Sequence, residues 1–221
     1  MKNNTYIHLL ICVLLIFSIA NHSFSQNIKE VKIGTQIWMA ENLNVDRFRN
    51  GDTIPRVSTL REIEKATENK TPAWCYYKND SKIGAKYGRL YNWWAINDPR
   101  GLAPEGWHVP SEKEWEILLE YTGGKKWYSQ HLKEESAWKD DPDKKEKSDK
   151  SKIGFGALPG GLWSSYNVGF SQLNEAGAWW SSGERNKDNA IAMFIFHVTD
   201  KVNLSKACKC NYYSVRLIKI R

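Results

Sequence analysis

One stretch limits what this chain can become: Gly106-Trp107-His108-Val109-Pro110-Ser111-Glu112-Lys113-Glu114-Trp115 and its continuation to Gly124. Ser111 with Glu114 three residues on is a capping box, in which each side chain satisfies a backbone N–H of the other residue at a helix start. Pro110 sits before the cap, where helical geometry is not yet required. Trp115, Leu118 and Leu119 recur at i, i+3 and i+4 and make one apolar stripe. Gly123-Gly124 offers the left-handed stop that a helix end favours. The spacing predicts a helix of about three turns, entered from a buried Trp-His-Val strand and held to a core by tryptophan. It bears on fold and leaves function open.

Nothing else in the chain is as strongly helical. Val31-Lys32-Ile33 and Ile37-Trp38-Met39 flank a Gly34-Thr35-Gln36 turn and predict a hairpin, and Asn50-Gly51-Asp52 marks another turn. Leu60 to Lys70 suits a short surface helix ended by Thr71-Pro72. Ala73–Tyr77 has strand propensity, Lys78–Ser81 turns, and Tyr87–Ile96 fits either a strand or a short helix. Trp127–Leu132 suggests a second short helix. Strands are expected over Ala178–Ser182, Ala190–Val198 and Tyr213–Ile220. Antiparallel strands, few helices and long loops place the chain in the α+β class. From about 133 to 152 it is almost wholly charged, and a solvated, mobile loop is expected there. Its Asp140-Asp141-Pro142-Asp143 run lacks the ligand alternation and glycine of a calcium loop.

The first 25 residues read as a signal peptide, with Lys2, an apolar run from Tyr6 to Ala20, and small Ser23 and Ser25 before a cut. The run is shorter than the roughly 20 residues a span requires. Export and a single domain over residues 26–221 are the expectation, with no membrane span after cleavage. Losing Lys2 takes the net charge from +7 to +6. That mild bias does not single out nucleic acid as a partner.

Three cysteines then remain. In an oxidising compartment one bridge from Cys75 to Cys208 or Cys210 is expected, leaving one thiol over. Cys-Lys-Cys is not the Cys-x-x-Cys spacing of a redox or metal pair.

Eleven tryptophans and ten tyrosines exceed what a core of this size needs. Flat rings suit sugar faces, and they also fill irregular interiors. In a strand, adjacent Trp179 and Trp180 point to opposite faces, so one can be core and the other a ligand surface. Ser181, Ser182, Glu184, Asp188 and Asn189 follow, with oxygens able to orient sugar hydroxyls or hold calcium. Trp179, Trp180, Glu184, Asp188 and Asn189 are thus the candidate ligand residues, for polysaccharide or cell-surface glycan, with calcium the one candidate cofactor. An enzyme is the rival reading, a hydrolase or oxidase. It would have to draw on His108, His131 or His197, and nothing in their spacing assembles a catalytic set. A structural part of a surface assembly is the third reading.

Several motifs carry a resemblance: Ile33-Gly34-Thr35-Gln36-Ile37-Trp38-Met39-Ala40-Glu41-Asn42-Leu43, Tyr87-Gly88-Arg89-Leu90-Tyr91-Asn92-Trp93, Gly101-Leu102-Ala103-Pro104-Glu105-Gly106-Trp107-His108-Val109-Pro110, Ala157-Leu158-Pro159-Gly160-Gly161, Trp179-Trp180-Ser181-Ser182 and Ser214-Val215-Arg216. In these the chain resembles the Fibrobacter succinogenes major paralogous domain, a module of secreted bacterial proteins frequent in Bacteroidetes. The family often has a cysteine after Ser-Val-Arg, where this chain has Leu217, so the disulfide pairing stays open. Trp107–Trp115 is also similar to the helix start of formylglycine-generating enzymes, which implies a C-type-lectin-like architecture. The activity of those enzymes is not implied, since Cys208 and Cys210 stand too close together for their cysteine pair. The resemblance transfers no catalytic residue. It implies a secreted or surface-exposed, non-catalytic binding or display module.

Overall fold

The computed structural model describes residues 28–123, 129–139 and 153–220. The expected signal peptide, and the charged run from 140 to 152, lie outside the described residues.

Within them the chain is α+β. A four-stranded antiparallel sheet is built from β1 (Glu30–Ile33), β2 (Gln36–Met39), β5 (Trp107–His108) and β11 (Ile218–Lys219), in the order β1-β2-β11-β5. A five-stranded sheet has the order β10-β9-β8-β6-β7, from β6 (Gly160–Ser164), β7 (Gly169–Leu173), β8 (Ala176–Glu184), β9 (Asn189–Phe196) and β10 (Val202–Cys208). Its β6–β8 pairing, Gly161 opposite Gly177, is parallel, which corrects the expectation of antiparallel strands throughout. β3 (Trp74–Cys75) and β4 (Leu90–Tyr91) form a small third sheet. The helices are α1 (Leu60–Glu68), α2 (Ser81–Tyr87), α3 (Trp93–Ile96) and α4 (Glu112–Gly123).

Local signals account for the helices. In α1, Thr59 and Glu62 form a capping box. In α4, the Glu114 N–H donates to Ser111 Oγ at 3.3 Å, and the Ser111 N–H donates to Glu114 Oε2 at 2.8 Å. Trp115, Leu118 and Leu119 are all fully buried, as their spacing predicts. α2 starts at the segment read from sequence as a turn, where the Asp80 side chain accepts from the Lys82 N–H.

The three sheets are joined by the C-terminal segment Cys210–Ile218, of which every residue is buried. Tyr212 bridges Trp163, Tyr213 bridges Tyr91, Ser214 bridges Trp179, and Ile218 pairs with both Trp38 and His108. The strand expected over Tyr213–Ile220 is therefore a thread that pairs briefly with each sheet in turn. The first residues of the expected mobile loop are seated too: Lys133 bridges Ala157, and Trp138 Nε1 donates to the Ala157 carbonyl at 2.9 Å.

Both faces of the five-stranded sheet are covered. Trp179, Met193 and Ile195 join Trp115, Leu118, Leu119 and Phe155 on one side. Trp180, Ala178, Ala190 and Ala192 join Tyr91, Tyr213 and Val215 on the other.

Candidate functional site

The Trp179–Trp180 pair does not offer a ligand face. The two rings do alternate across β8, opposite Met193 and Ala192, but each is fully buried. The indole of Trp179 donates to Asn42 Oδ1 at 2.8 Å, and that of Trp180 to the Tyr91 carbonyl at 2.7 Å. The expected outward tryptophan is corrected because this sheet is packed on both faces, so alternation selects between two cores.

Of the other residues expected beside them, Ser181 is fully buried in β8, while Ser182, Glu184, Asp188 and Asn189 lie along the end of β8 and the turn into β9. Asn186 Oδ1 accepts from the N–H groups of Asp188 and Asn189 and from Asn189 Nδ2. Glu184 is engaged by Lys209, whose Nζ donates to its Oε1 at 2.5 Å and to the Lys187 carbonyl of the turn at 3.2 Å. The Lys209 ammonium, nearly buried, also lies 4.2 Å from the Trp93 ring centroid. Among the described residues no three His, Cys, Asp or Glu side chains converge to hold a metal ion. The turn leans on the start of α4: Ser182 N–H donates to the Pro110 carbonyl at 2.9 Å, and Arg185 Nη2 to Glu112 Oε1 at 3.2 Å.

The same helix start borders a groove of about 350 Å³ that runs between α4 and the strands β2, β11 and β5. Ile37, Ile117, Ile218 and Ile220 make its apolar surface, and Thr35, Gln36, His108, Glu114 and Lys219 its polar one. Several of these polar groups are held by hydrogen bonds within the fold. Gln36 Nε2 donates to the Glu114 carbonyl at 2.9 Å and its Oε1 accepts from Trp38 Nε1 at 3.2 Å. Lys219 Nζ donates to Glu30 Oε1 at 2.7 Å.

At the centre of that polar rim stand His108 and Glu114, Nε2 to Oε1 at 2.7 Å, both partly exposed. Glu114 Oε2 also takes the Ser111 N–H and hydroxyl, each at 2.8 Å. Burial opposes its ionisation, but these donors and His108 together outweigh burial and hold the carboxyl below its ordinary value. Glu114 accepting at His108 Nε2 fixes the neutral ring as the Nε2–H tautomer, and its Nδ1 is buried with no hydrogen-bond partner. An aliphatic floor with an imidazole, a carboxylate, a carboxamide and an ammonium around it suits recognition of a small amphipathic ligand. From sequence, His108 reads as a core residue and Glu114 as a cap. What brings them together is the β5–α4 corner, where the Pro110 break puts the strand end beside the first helical turn.

The cysteines depart from expectation as well. Cys208 and Cys210 are bonded to each other, and Cys75 is free and buried. Cys75 is enclosed in the cluster of Val57, Ile63, Trp163 and Tyr212, and the two sulfurs expected as its partners are bonded to each other.

Residues 31–219 match the family model described as the Fibrobacter succinogenes major domain. No curated protein and no solved structure matches the chain.

Proposed function

The chain belongs to the Fibrobacter succinogenes major domain family, and from that premise we propose that it is a secreted or surface-exposed binding module that takes glycan in the α4 groove. The observation that carries this reading is the His108–Glu114 pair at 2.7 Å over a floor of Ile37, Ile117 and Ile218. A sugar ring has C–H faces for such a floor and hydroxyls for the remaining lone pairs of the Glu114 carboxylate, which His108 orients, and for the Lys219 ammonium. The polar groups are held in place before any ligand arrives, which lowers the cost of ordering them on binding. A C-type-lectin-like architecture belongs to the same proposal, as does calcium, for which the exposed Asp188 and Asn189 turn beside the α4 start is the candidate position.

A glycan array with and without calcium tests it. His108→Ala and Ile117→Asp should each weaken retention of the bound glycan about tenfold or more, equivalent to roughly 1.4 kcal/mol. Far-ultraviolet circular dichroism should be unchanged in both. Retention untouched by either substitution, or no glycan retained by the wild type, would sink the groove as a glycan site.

A further inference from the structure

The bond between Cys208 and Cys210 closes a very short loop. A disulfide restrains the unfolded chain less the shorter the loop it closes, and this one joins residues only two apart. It therefore does little as a staple. The backbone around it is held by other contacts: Lys209 N–H donates to the Asp188 carbonyl at 3.0 Å, and Trp93 N–H to the Lys209 carbonyl at 3.3 Å. With the turn fixed in this way, the two sulfurs stay adjacent when the bond opens.

The two sulfurs are not equivalent. Cys208 is partly exposed and Cys210 is buried, so an incoming thiolate reaches Cys208. Each sulfur has a donor in place for the thiolate it would become. The Cys210 N–H points at Cys208 Sγ at 3.3 Å. The Ser165 hydroxyl lies 3.1 Å from Cys210 Sγ and 3.0 Å from Asn211 Oδ1. Asn211 Oδ1 also takes the Ser165 N–H at 2.9 Å. The hydroxyl proton can therefore swing to the sulfur without orphaning the amide. Hydrogen-bond donors stabilise thiolates and so make them better leaving groups.

We infer that Cys208–Cys210 is a thiol–disulfide exchange site for cysteine-bearing polypeptides, with Cys208 the attacked sulfur and Cys210 the leaving and resolving one. A substrate thiolate attacks Cys208 Sγ, the Cys208–Cys210 bond breaks, and Cys210 leaves as a thiolate under the Ser165 hydroxyl. The second substrate thiolate then attacks its partner sulfur in the mixed disulfide and releases Cys208 as a thiolate under the Cys210 N–H. The substrate dithiol loses two electrons, the protein disulfide gains them, and the two thiol protons finish on Cys208 and Cys210. A disulfide-bonded polypeptide reoxidises the pair by the reverse exchange.

The full chain is mixed with a reduced bis-cysteine peptide, and the products are read by mass spectrometry after alkylation. The wild type should convert one peptide to its disulfide per protein molecule, and Cys208→Ser and Cys210→Ser should convert none. Offered a disulfide-bonded peptide, Cys210→Ser should form the mixed adduct about tenfold faster than Cys208→Ser, and Ser165→Ala should slow wild-type conversion about as much. After limited reduction of the wild type, Cys208 should be alkylated before Cys210, which checks the order without any substitution. Equal reactivity of the two sulfurs, unchanged conversion by Ser165→Ala, or a bond that resists excess dithiothreitol in the folded protein would overturn the assignment.

Discussion

The Arg216 guanidinium donates twice to one oxygen, Asn42 Oδ1, from Nε at 3.3 Å and Nη2 at 3.0 Å. Its Nη1 donates to the carbonyls of Met39 and Phe155, at 3.1 and 2.6 Å. The side chain is wholly buried. Burial pulls its pKa down to about 9, with Glu41 acting against that, so it remains a cation at neutral pH. Trp179 Nε1 shares the same Asn42 oxygen, while Asn42 Nδ2 donates to the Tyr87 carbonyl at 2.9 Å. Residues from four separate motifs thus meet at one polar knot, and the knot serves the fold.

Arg216→Met should therefore destabilise the protein by roughly 3–5 kcal/mol, because it strips the donors from several buried oxygens at once. Arg216→Lys should restore only part of the loss, since an ammonium cannot reproduce the planar fork. Urea midpoints of the two variants check both statements. A midpoint for Arg216→Met within about 0.5 kcal/mol of wild type would mean that the knot is dispensable.

Trp179→Ala and Trp180→Ala should each cost about 3–5 kcal/mol, and neither should behave as a binding variant that spares the fold. Thermal unfolding of both decides it. A stable variant at either position would place that ring outside the core.

The α4 cap gives a pH prediction. Ser111→Ala should cost about 1 kcal/mol, and Leu118→Ala about 2–5 kcal/mol. The folded pKa of Glu114 lies below its ordinary 4.5. Its stabilising contribution is therefore present above that ordinary value and is lost as pH falls through the lower, folded one. Urea midpoints of wild type and Glu114→Gln, taken from neutral pH to about pH 3, should converge on the acid side. Parallel curves would remove Glu114 from the acid response.

The cap was legible because it is written within four residues: Ser111, Glu114 and the stripe after them interact locally. The C-terminal thread was not, because Tyr212, Tyr213, Ser214 and Ile218 find partners far off in sequence. Period two placed Trp179 and Trp180 on opposite faces correctly, but no local pattern says what covers a face. β10 did carry a signal, since Val202 and Leu204 alternate with Asn203 and Ser205 as a half-buried strand does. The groove was hidden for another reason. Its polar rim comes from a strand end, a helix cap and a sheet edge, each with a sufficient structural explanation taken alone.

Gly84 sets two physical terms against each other. It lies inside α2, where glycine costs roughly 0.5–1 kcal/mol relative to alanine, so propensity alone makes Gly84→Ala stabilising. A Cβ at this position would sit 2.0 Å from Tyr76 Cδ1 and 2.8 Å from Cγ. Those atoms are near the base of the ring, so a small turn of its tip does not clear them. Nor is the ring free to leave: it meets Trp74 edge-on at 5.0 Å, and the Arg56 and Arg89 guanidinium carbons lie 5.4 and 5.3 Å from its centroid. Overpacking of this kind costs about 1–3 kcal/mol, which exceeds the helical gain. Gly84→Ala should lower the urea midpoint, and Gly84→Ala combined with Tyr76→Ala should recover the helical gain relative to Tyr76→Ala alone. A stabilised single variant would show that the Tyr76 ring moves aside at little cost.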